Sequence, residues 1–408
     1  IDGFKLVNDQ FGHDAGDRLL VAVSDDSDPN GTWYFTLFLS EFTGAAGNEG
    51  YTARVYATFP SAVKLALGRR LTVGTLIVNG GECEPYLSCD DRLMRDFAPT
   101  VVDGVRLLMQ AIGAREAMVG IEDSKPEAIA AMRRAAETFP EVKIRPVPSR
   151  YPMGSDKQLI ETLIGKEVPA GRRAAEIGVL VHNVGTAAAV HRAVRLGEPL
   201  VSRIVTVNGG AVAAPGNILA PIGSLAADLL RFAGLGENPA RLLMGGPMMG
   251  IVLPHEDVPV VKGTAGLLAL SAAEASEGAA ADGPCIRCGQ CRRACPMGLL
   301  PMEMAARVRA GDLDGAERHG IGDCISCGCC AYVCPSRIPL AHWFNHARGE
   351  LWTRSRTKLR QEAGRRLAQA RSARIERETR EKAEAAARRK ADRDAARAAQ
   401  KAQEEATT

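Results

Sequence analysis

The chain has 408 residues, of which 46% are hydrophobic and 24% are charged, as in soluble globular proteins with two or three domains. Its formal net charge of +3 is too small to indicate nucleic-acid binding, so we expect no nucleic acid among the partners. No run of apolar residues is long enough for a transmembrane helix, and no signal peptide is visible. The first residue is Ile rather than Met, which favours a fragment or a recombined chain.

The first 24 residues contain a dense local pattern, formed by Phe4, Lys5, Asn8, Asp9, Gly12, His13, Gly16 and Asp17. The pattern resembles the opening helix–loop–helix of the GGDEF (diguanylate cyclase) family. No GG[DE]EF signature follows it, so a cyclic-dinucleotide enzyme is not expected. We therefore interpret residues 1–24 as a GGDEF-like fragment and leave residues 25–52 unassigned.

Strand and helix patterns alternate through residues 53–199. Short apolar runs predict strands at 75–79, 116–123, 142–147 and 176–183. A helical pattern follows each strand, at 100–113, from 125 onward, at 156–165 and at 184–197. This alternation predicts an α/β domain with a largely parallel sheet. In such sheets ligands bind at the carboxyl ends of the strands, where Asn79 and Asn183 lie.

Composition divides the rest of the chain. Residues 200–265 have Val/Thr/Ile runs between Gly- and Asn-rich turns, which predicts a small β-rich domain. Residues 266–284 are rich in Ala, Ser, Glu and Gly, which predicts a linker. Residues 346–408 are charged and Ala-rich without an apolar stripe, so we expect a solvated tail that is partly helical or disordered.

Nine of the 11 cysteines lie between Cys285 and Cys334, which indicates metal ligands in a reducing compartment. Residues 285–296 and 324–335 both fit the spacing C-x₂-C-x₂-C-x₃-C-P. In that motif three thiolates of one run bind one [4Fe–4S] cubane and the fourth binds the other. The predicted ligand sets are Cys285, Cys288, Cys291 and Cys334, and Cys324, Cys327, Cys330 and Cys295.

A single C-x-x-C would leave zinc or a redox dithiol open, but two such runs favour a domain with two [4Fe–4S] clusters at residues 285–345. Cys329 is additional, and we expect it to point away from the clusters as a small buried hydrophobe. Clusters carry single electrons and cannot accept hydride. A nicotinamide donor would therefore need a flavin between it and the clusters.

Three motifs agree in order and spacing with one family: the string NGGECEPYLSCDDRLM at 79–94, MGGPMMG at 244–250 and the double cysteine motif. Together they closely resemble the C subunit of the Rnf (Rsx) ion-translocating oxidoreductases over about residues 57–351. The resemblance implies a multidomain α/β fold. It has a Rossmann-like flavin/NADH domain similar to the NADH-binding flavoprotein of respiratory complex I, a small SLBB (β-grasp-like) domain and a ferredoxin-like helical domain with two clusters.

The resemblance also implies a flavin and nicotinamide site, with FMN as cofactor and NADH as substrate. Lys64 is expected to pair with the FMN phosphate, and Glu82 to accept hydrogen bonds from ribose hydroxyls. Without the resemblance, Asn-Gly-Gly would predict only a turn. No residue is predicted to be catalytic. The implied cofactor-binding residues are Lys64, Asn79, Glu82, Glu84, Tyr151, Gly154, Asp156, Asn183 and Thr186.

The sequence departs from the family at one cofactor loop. Where the family has G-x-G-G-A-x-F-P, residues 53–60 read ARVYATFP, so three glycines are missing and Val55 and Tyr56 would obstruct close approach of the backbone. Residues 1–52 also replace the family's N-terminal lipoyl-like domain. Both changes lie before a join near residue 56, which indicates a recombined chain with weakened FMN affinity.

The main hypothesis is a peripheral electron-transfer subunit, without a transmembrane segment, on the cytoplasmic face of the bacterial inner membrane. It passes electrons between NADH, through FMN, and two [4Fe–4S] clusters, within an ion-translocating oxidoreductase of the NADH:ferredoxin type. The expected partners are the other Rnf/Rsx subunits, NADH, and ferredoxin or an equivalent carrier. The alternative is a stand-alone ferredoxin-like relay with a degenerate flavin site, which the missing glycines favour.

Overall fold

The computed structural model describes residues 71–275 and 283–405, with two short paired strands before them, β1 (Phe35–Leu37) and β2 (Ala53–Val55). The GGDEF-like fragment, most of the altered loop and Lys64 lie outside the described residues. Across the described ranges, no helix combines the length and the apolar character needed to cross a bilayer.

The first domain contains a four-stranded parallel sheet, as predicted. Its strands are β3 (Thr75–Gly80), β4 (Glu116–Glu122), β5 (Val142–Val147) and β6 (Val179–Asn183), in the order β5-β4-β3-β6. Central strand β3 is buried on both faces, since Leu76 and Val78 pack into one apolar core and Ile77 into another. Asn79 pairs in register with Asn183, so both side chains lie at one edge of the sheet.

Five helices accompany this sheet. Four of them lie close to the predicted positions, and the first in chain order was not predicted. The five are α1 (Cys89–Asp96), α2 (Ala98–Ile112), α3 (Pro126–Ala136), α4 (Asp156–Ile164) and α5 (Val184–Leu196). A 3₁₀ turn at Ala174–Ile177 precedes β6 where the sequence pattern had extended the strand. Asn183 caps α5, because its side-chain oxygen accepts the N–H of Gly185 at 2.7 Å.

Helices α2 and α5 approach each other closely. A Cβ on Gly104 would overlap the backbone of Ala187, so only glycine permits this spacing. Beside the contact, Asp103 accepts two hydrogen bonds from the Arg195 guanidinium, each 2.9 Å long, and lies 2.7 Å from His191 Nδ1. These interactions hold the pKa of Asp103 below its ordinary value. The hydrogen bonds from Arg195 have the larger effect and the hydrogen bond with His191 the smaller one.

The second domain is β-rich, as predicted. Its strands are β7 (Ser202–Asn208), β8 (Gly216–Pro221), β9 (Arg241–Met244), β10 (Ile251–Val252) and β11 (Gly266–Leu270), in the order β10-β9-β11-β7-β8. Helix α6 (Ala226–Phe232) contributes Leu229 and Leu230 to its core.

The predicted linker at 266–284 is wrong at its beginning. Gly266–Leu270 is the central strand β11, which pairs with β7 and β9, and every residue of it is buried. Its short run GLLAL was obscured by the Ala, Ser, Glu and Gly that follow. The short helix α7 (Ala272–Ala275) continues from it.

The cysteine-rich region is helical, and its elements are short. They are α8 (Gln290–Arg293), α9 (Pro301–Arg309), α10 (Leu313–Arg318), a 3₁₀ turn at Ile321–Asp323 and α11 (Cys329–Tyr332). Each short helix at a cysteine run follows a glycine in the left-handed conformation, Gly289 with φ 73° and Gly328 with φ 77°. These glycines let the chain turn sharply between cysteines.

The final helix, α12 (Leu340–Glu405), is 66 residues long. The tail expected to be partly helical or disordered is therefore helical, and its side chains from 357 to 398 are exposed, as expected for a solvated segment. The predicted boundary at 345/346 falls inside this helix. Residues from Asn345 onward form a separate compact unit.

Candidate functional site

A large cleft opens at the carboxyl edge of the parallel sheet. The described residues give it a volume of about 970 Å³, at the upper end of the range for cofactor sites. Eight of the nine predicted flavin and nicotinamide residues line it, and Lys64 lies outside the described residues. The eight are Asn79, Glu82, Glu84, Tyr151, Gly154, Asp156, Asn183 and Thr186.

Asn79 shapes the floor of the cleft. Its side-chain amide donates to the carbonyl oxygen of Gly154 at 2.8 Å, and its side-chain oxygen accepts the N–H of Gly81 at 2.9 Å. A Cβ on Gly154 would collide with the carbonyl of Gly81. Asn79 and Gly154 therefore hold two backbone segments close together.

Glu82 caps the start of α1. Its two carboxylate oxygens accept the N–H groups of Asp90 and Asp91 at 3.0 and 3.1 Å, and the Cys89 thiol lies 3.2 Å away. Burial, and then the nearby negative charge of Asp90, raises the pKa of Glu82 to about 7. Glu82 thus titrates near neutral pH inside the cleft.

Glu84 connects the α/β domain to the MGGPMMG loop. Its carboxylate accepts the N–H groups of Met248 and Met249 at 3.1 and 2.8 Å. Gly246 has no space for a Cβ, because the Glu84 carboxylate occupies it. Two motifs that are far apart in sequence are therefore parts of one wall of the cleft.

Asn183 and Asp90 form a further pair in the cleft. The Asn183 amide donates to Asp90 at 2.6 Å, while its oxygen caps α5. Burial raises the pKa of Asp90, although the hydrogen bond from Asn183 and the charge of Arg203 oppose this. Thr186 lies in the first turn of α5, at its N-terminal end, where backbone N–H groups favour an anion.

Further residues line the cleft that the sequence analysis did not assign to it. Cys83, Cys89 and Asp90 belong to the quoted string at 79–94, so their proximity was a usable signal. Arg203 and Lys262 come from the β-rich domain, and no local motif points to them. Arg203 donates to the carbonyl oxygen of Lys262, which fixes it on this side of the cleft.

The predicted cluster ligands separate into two groups in space. An inner cysteine set, Cys295, Cys324, Cys327 and Cys330, lines one cavity. An outer cysteine set, Cys285, Cys288, Cys291 and Cys334, lines a second. Each cavity thus takes three cysteines from one run and the fourth from the other, which is the arrangement that the spacing predicts.

Four thiols around a cavity suit a [4Fe–4S] cubane, which brings its own metal ions and needs one sulfur at each iron. Among the residues that the structure describes, no three Cys, His, Asp or Glu side chains meet closely enough to bind one metal ion. Burial, and then repulsion from Cys324, Cys327 and Cys295, raises the pKa of Cys330 to about 12. The positive charge of iron is what would hold this sulfur as a thiolate.

Cys329 differs from its expected placement. It is partly exposed rather than buried. Its thiol interacts with that of Cys327, and its partial burial, followed by this neighbour, raises the pKa of Cys329 to about 12. Cys329 therefore lies beside the inner cysteine set, not away from it.

The cleft and the inner cysteine set are adjacent. Cys327 lines both of them. The Tyr151 hydroxyl donates to the backbone carbonyl of Cys327 at 2.5 Å, and Lys157 pairs with Asp323 at 2.9 Å. The Asp323 carboxylate also accepts the N–H of Gly171 at 3.0 Å. These contacts hold the cysteine-rich region against the α/β domain.

Three domain families match the chain. The Nuo51 FMN-binding domain matches residues 51–192, the SLBB domain residues 204–252 and the 4Fe–4S dicluster domain residues 284–338. The predicted fold class is confirmed, and so are FMN and two [4Fe–4S] clusters as the cofactors. Fold and site together define a flavin-domain iron–sulfur protein.

The relatives are more specific. The chain is 51% identical over 307 residues to the C subunit of the ion-translocating oxidoreductase complex of Rhodobacter capsulatus. The aligned residues make up 74% of this chain and 58% of that protein. It is 47% identical over 319 residues to the protein of the same name from Erwinia tasmaniensis, covering 78% of this chain and 39% of the relative. The predicted resemblance to the Rnf C subunit is thereby confirmed. The chain spans less than two thirds of the length of either relative.

A more distant likeness exists among solved structures. An NAD⁺-reducing [NiFe]-hydrogenase in the H₂-reduced state overlaps 72% of this chain and 57% of its own, with a TM-score of 0.48 and 21% identity. At that distance the overlap has no bearing on function.

Proposed function

We propose that this chain is the electron-transfer part of an ion-translocating oxidoreductase subunit that links NADH to two [4Fe–4S] clusters. The observation that carries the proposal is the position of Cys327, which lines the cleft of the FMN-binding domain and also the inner cysteine cavity. A flavin site and an iron–sulfur site that share a wall would hold their cofactors as neighbours, which suits the passage of single electrons between them.

FMN supplies the conversion between a two-electron hydride and single electrons when it is bound. Asn79 and Gly154 hold two backbone segments together at the floor of the cleft, and Glu84 holds the MGGPMMG loop against its wall. Thr186 and the N–H groups at the start of α5 offer an anion site for a phosphate. Burial raises the pKa of Glu82 to about 7, which suits this carboxyl to hold or release a proton at the cleft.

The two cysteine sets differ in exposure, which supports an order of transfer. Cys327 and Cys330 of the inner set are each 8% exposed, whereas Cys285 and Cys288 of the outer set are exposed to solvent. The inner set faces the flavin cleft and the outer set faces solvent. We place the exchange with other proteins at the outer set.

The proposed partners are NADH, the other subunits of the complex, and ferredoxin or an equivalent carrier. The proposed location is the cytoplasmic face of the bacterial inner membrane, where the chain is held by these subunits. The names of the relatives support membership of such a complex.

The test is a titration of the anaerobically reconstituted protein with FMN and then NADH. Tight FMN binding, followed by NADH-dependent bleaching of the cluster absorbance, supports the proposal. Glu84→Ala should weaken the flavin and NADH response and leave the iron content unchanged. A protein without iron, or with zinc in place of it, would overturn the proposal.

The altered loop at residues 53–60 favours a second function, a ferredoxin-like relay with a degenerate flavin site. In that case dithionite would reduce the clusters, but FMN would not bind and NADH would not bleach them. The same titration therefore separates the two functions.

A further inference from the structure

The outer cysteine set is surrounded by exposed positive charge. Residues 283–302 contain three arginines and no Asp or Glu. The three, Arg287, Arg292 and Arg293, are all exposed. Arg287 lines the outer cavity itself, together with Arg309 from α9, which is also exposed.

An apolar residue lies in the middle of this charge. Ile286, between Cys285 and the first arginine, is 65% exposed. A large exposed apolar side chain inside a charged ring resembles the centre and rim of a protein interface. We call this whole surface the arginine rim. It consists of Ile286 at its centre and Arg287, Arg292, Arg293 and Arg309 around it.

The rim arginines beside the first cysteine run stand outside the local ion pairs. Of the ion pairs formed within residues 71–275 and 283–398, none involves Arg287, Arg292 or Arg293. Carboxylates near the cysteine runs pair elsewhere, Asp312 with Arg307 and Asp323 with Lys157. The rim therefore attracts negative charge across the solvent.

We propose that the arginine rim is the docking surface for a small electron-transfer protein, or protein domain, whose own redox centre is surrounded by acidic residues. Docking brings that centre next to exposed Cys285 and Cys288. One electron then passes between the cluster of the outer cysteine set and the partner's redox centre. One of the two is oxidised by one electron and the other is reduced by one electron, with no bond made and no proton moved. The proposal rests on the proposed function, because it takes the outer set as a cluster site.

The experiment needs neither FMN nor NADH, so its failure is distinct from failure of the flavin site. The probes are plastocyanin, an acidic blue-copper protein, and cytochrome c, a basic haem protein. Binding is measured by NMR, by titrating the reconstituted protein into ¹⁵N-labelled, redox-inert cadmium plastocyanin at low ionic strength. Electron transfer is measured by stopped flow, after dithionite has reduced the clusters and has been removed.

The test variant is R287E/R292E/R293E, and the control R133E/R134E/R231E makes the same change in net charge on arginines of α3 and α6. We expect the test variant to lose plastocyanin binding and at least about tenfold of the rate, with iron content unchanged. Raising salt from about 0.01 to 0.15 M, which shortens the Debye length from about 30 to 8 Å, should slow the wild type similarly. Cytochrome c should not be slowed by the substitutions.

Equal losses in the control would overturn the proposal, because net charge rather than this surface would then be responsible. It would also be overturned if the wild type bound cytochrome c better than plastocyanin. A different result would assign the rim to a membrane surface instead. In that result the wild type sediments with phosphatidylglycerol vesicles and does not bind plastocyanin, and only the test variant loses the sedimentation.

Discussion

Glu82 is the residue whose protonation should be visible in the stability of the whole domain. Burial, and then Asp90, raises its pKa from 4.5 to about 7 in the folded chain. Between these values the folded state holds a proton that the unfolded state has lost. Unfolding free energy therefore falls as pH rises through this window.

Glu82→Gln should reduce that dependence, because glutamine keeps the shape of the protonated side chain and does not titrate. The measurement is thermal unfolding across the window from about pH 5 to 7. The matched control is Glu137→Gln at an exposed position, which should keep the wild-type slope. An identical slope in the Glu82 variant would remove Glu82 as its source.

The cysteine assignment can be tested with one substitution in each cysteine run. Cys288→Ala removes a predicted ligand of the outer set, and we expect iron to fall from about eight per chain towards four or fewer. Cys329→Ser is the control, since Cys329 lies in the other run but is not a predicted ligand. Iron analysis and low-temperature EPR of the reduced protein measure the cluster content of both variants. A full iron content in Cys288→Ala would show the assignment to be wrong.

Part of the site could be predicted from residues alone. Asn79 and Asn183 end two apolar runs, and parallel strands bring such ends together, so their adjacency followed from the pattern. The partners of Glu84 did not follow, because Met248 and Met249 lie far along the chain, 164 and 165 residues away, and donate through their backbone. Arg203 and Lys262 were missed because they too lie far along the chain from the other residues of the cleft.

Among the elements, the contact of α2 with α5 should be the least tolerant of added volume. Gly104→Ala places a methyl group against the Ala187 backbone, which cannot move without shifting a helix. We expect a loss of about 1–3 kcal/mol in unfolding free energy. Urea denaturation measures it. Gly74→Ala, where a Cβ meets nothing within 4 Å, is the control and should be nearly neutral.

The elements also show where composition misleads. Four helices and four strands of the α/β domain were predicted within a few residues, because they have clear periods and most are bounded by Gly or Pro. Helix α1 was not predicted. Strand β11 was missed because five apolar residues were averaged with a polar stretch behind them. Only its burial between β7 and β9 defines it as part of the sheet.

At the scale of the molecule, the Lys157–Asp323 pair should be important for holding the cysteine-rich region against the α/β domain. Both side chains are less than a quarter exposed. Asp323→Asn keeps a hydrogen bond to Gly171 but loses the charge, and we expect a loss of about 1 kcal/mol. Asp228→Asn removes an exposed ion pair with Arg231 and is the control.

Thermal unfolding, followed through cluster absorbance and far-UV circular dichroism together, measures the effect of Asp323→Asn. The two signals should separate in the variant if the cysteine-rich region detaches first. Coincident transitions at the wild-type temperature would contradict a role for this pair.

The exchange of the fourth cysteine between the two runs has a consequence for how the protein matures. A cluster in either cavity binds cysteines of both runs, so the first cluster to form brings the two runs together and assembles the four cysteines of the other cavity. Loading should therefore be cooperative, and iron shortage should yield filled and empty chains rather than half-filled ones. It also ties the two runs together in evolution, because losing either one deprives the other of a ligand.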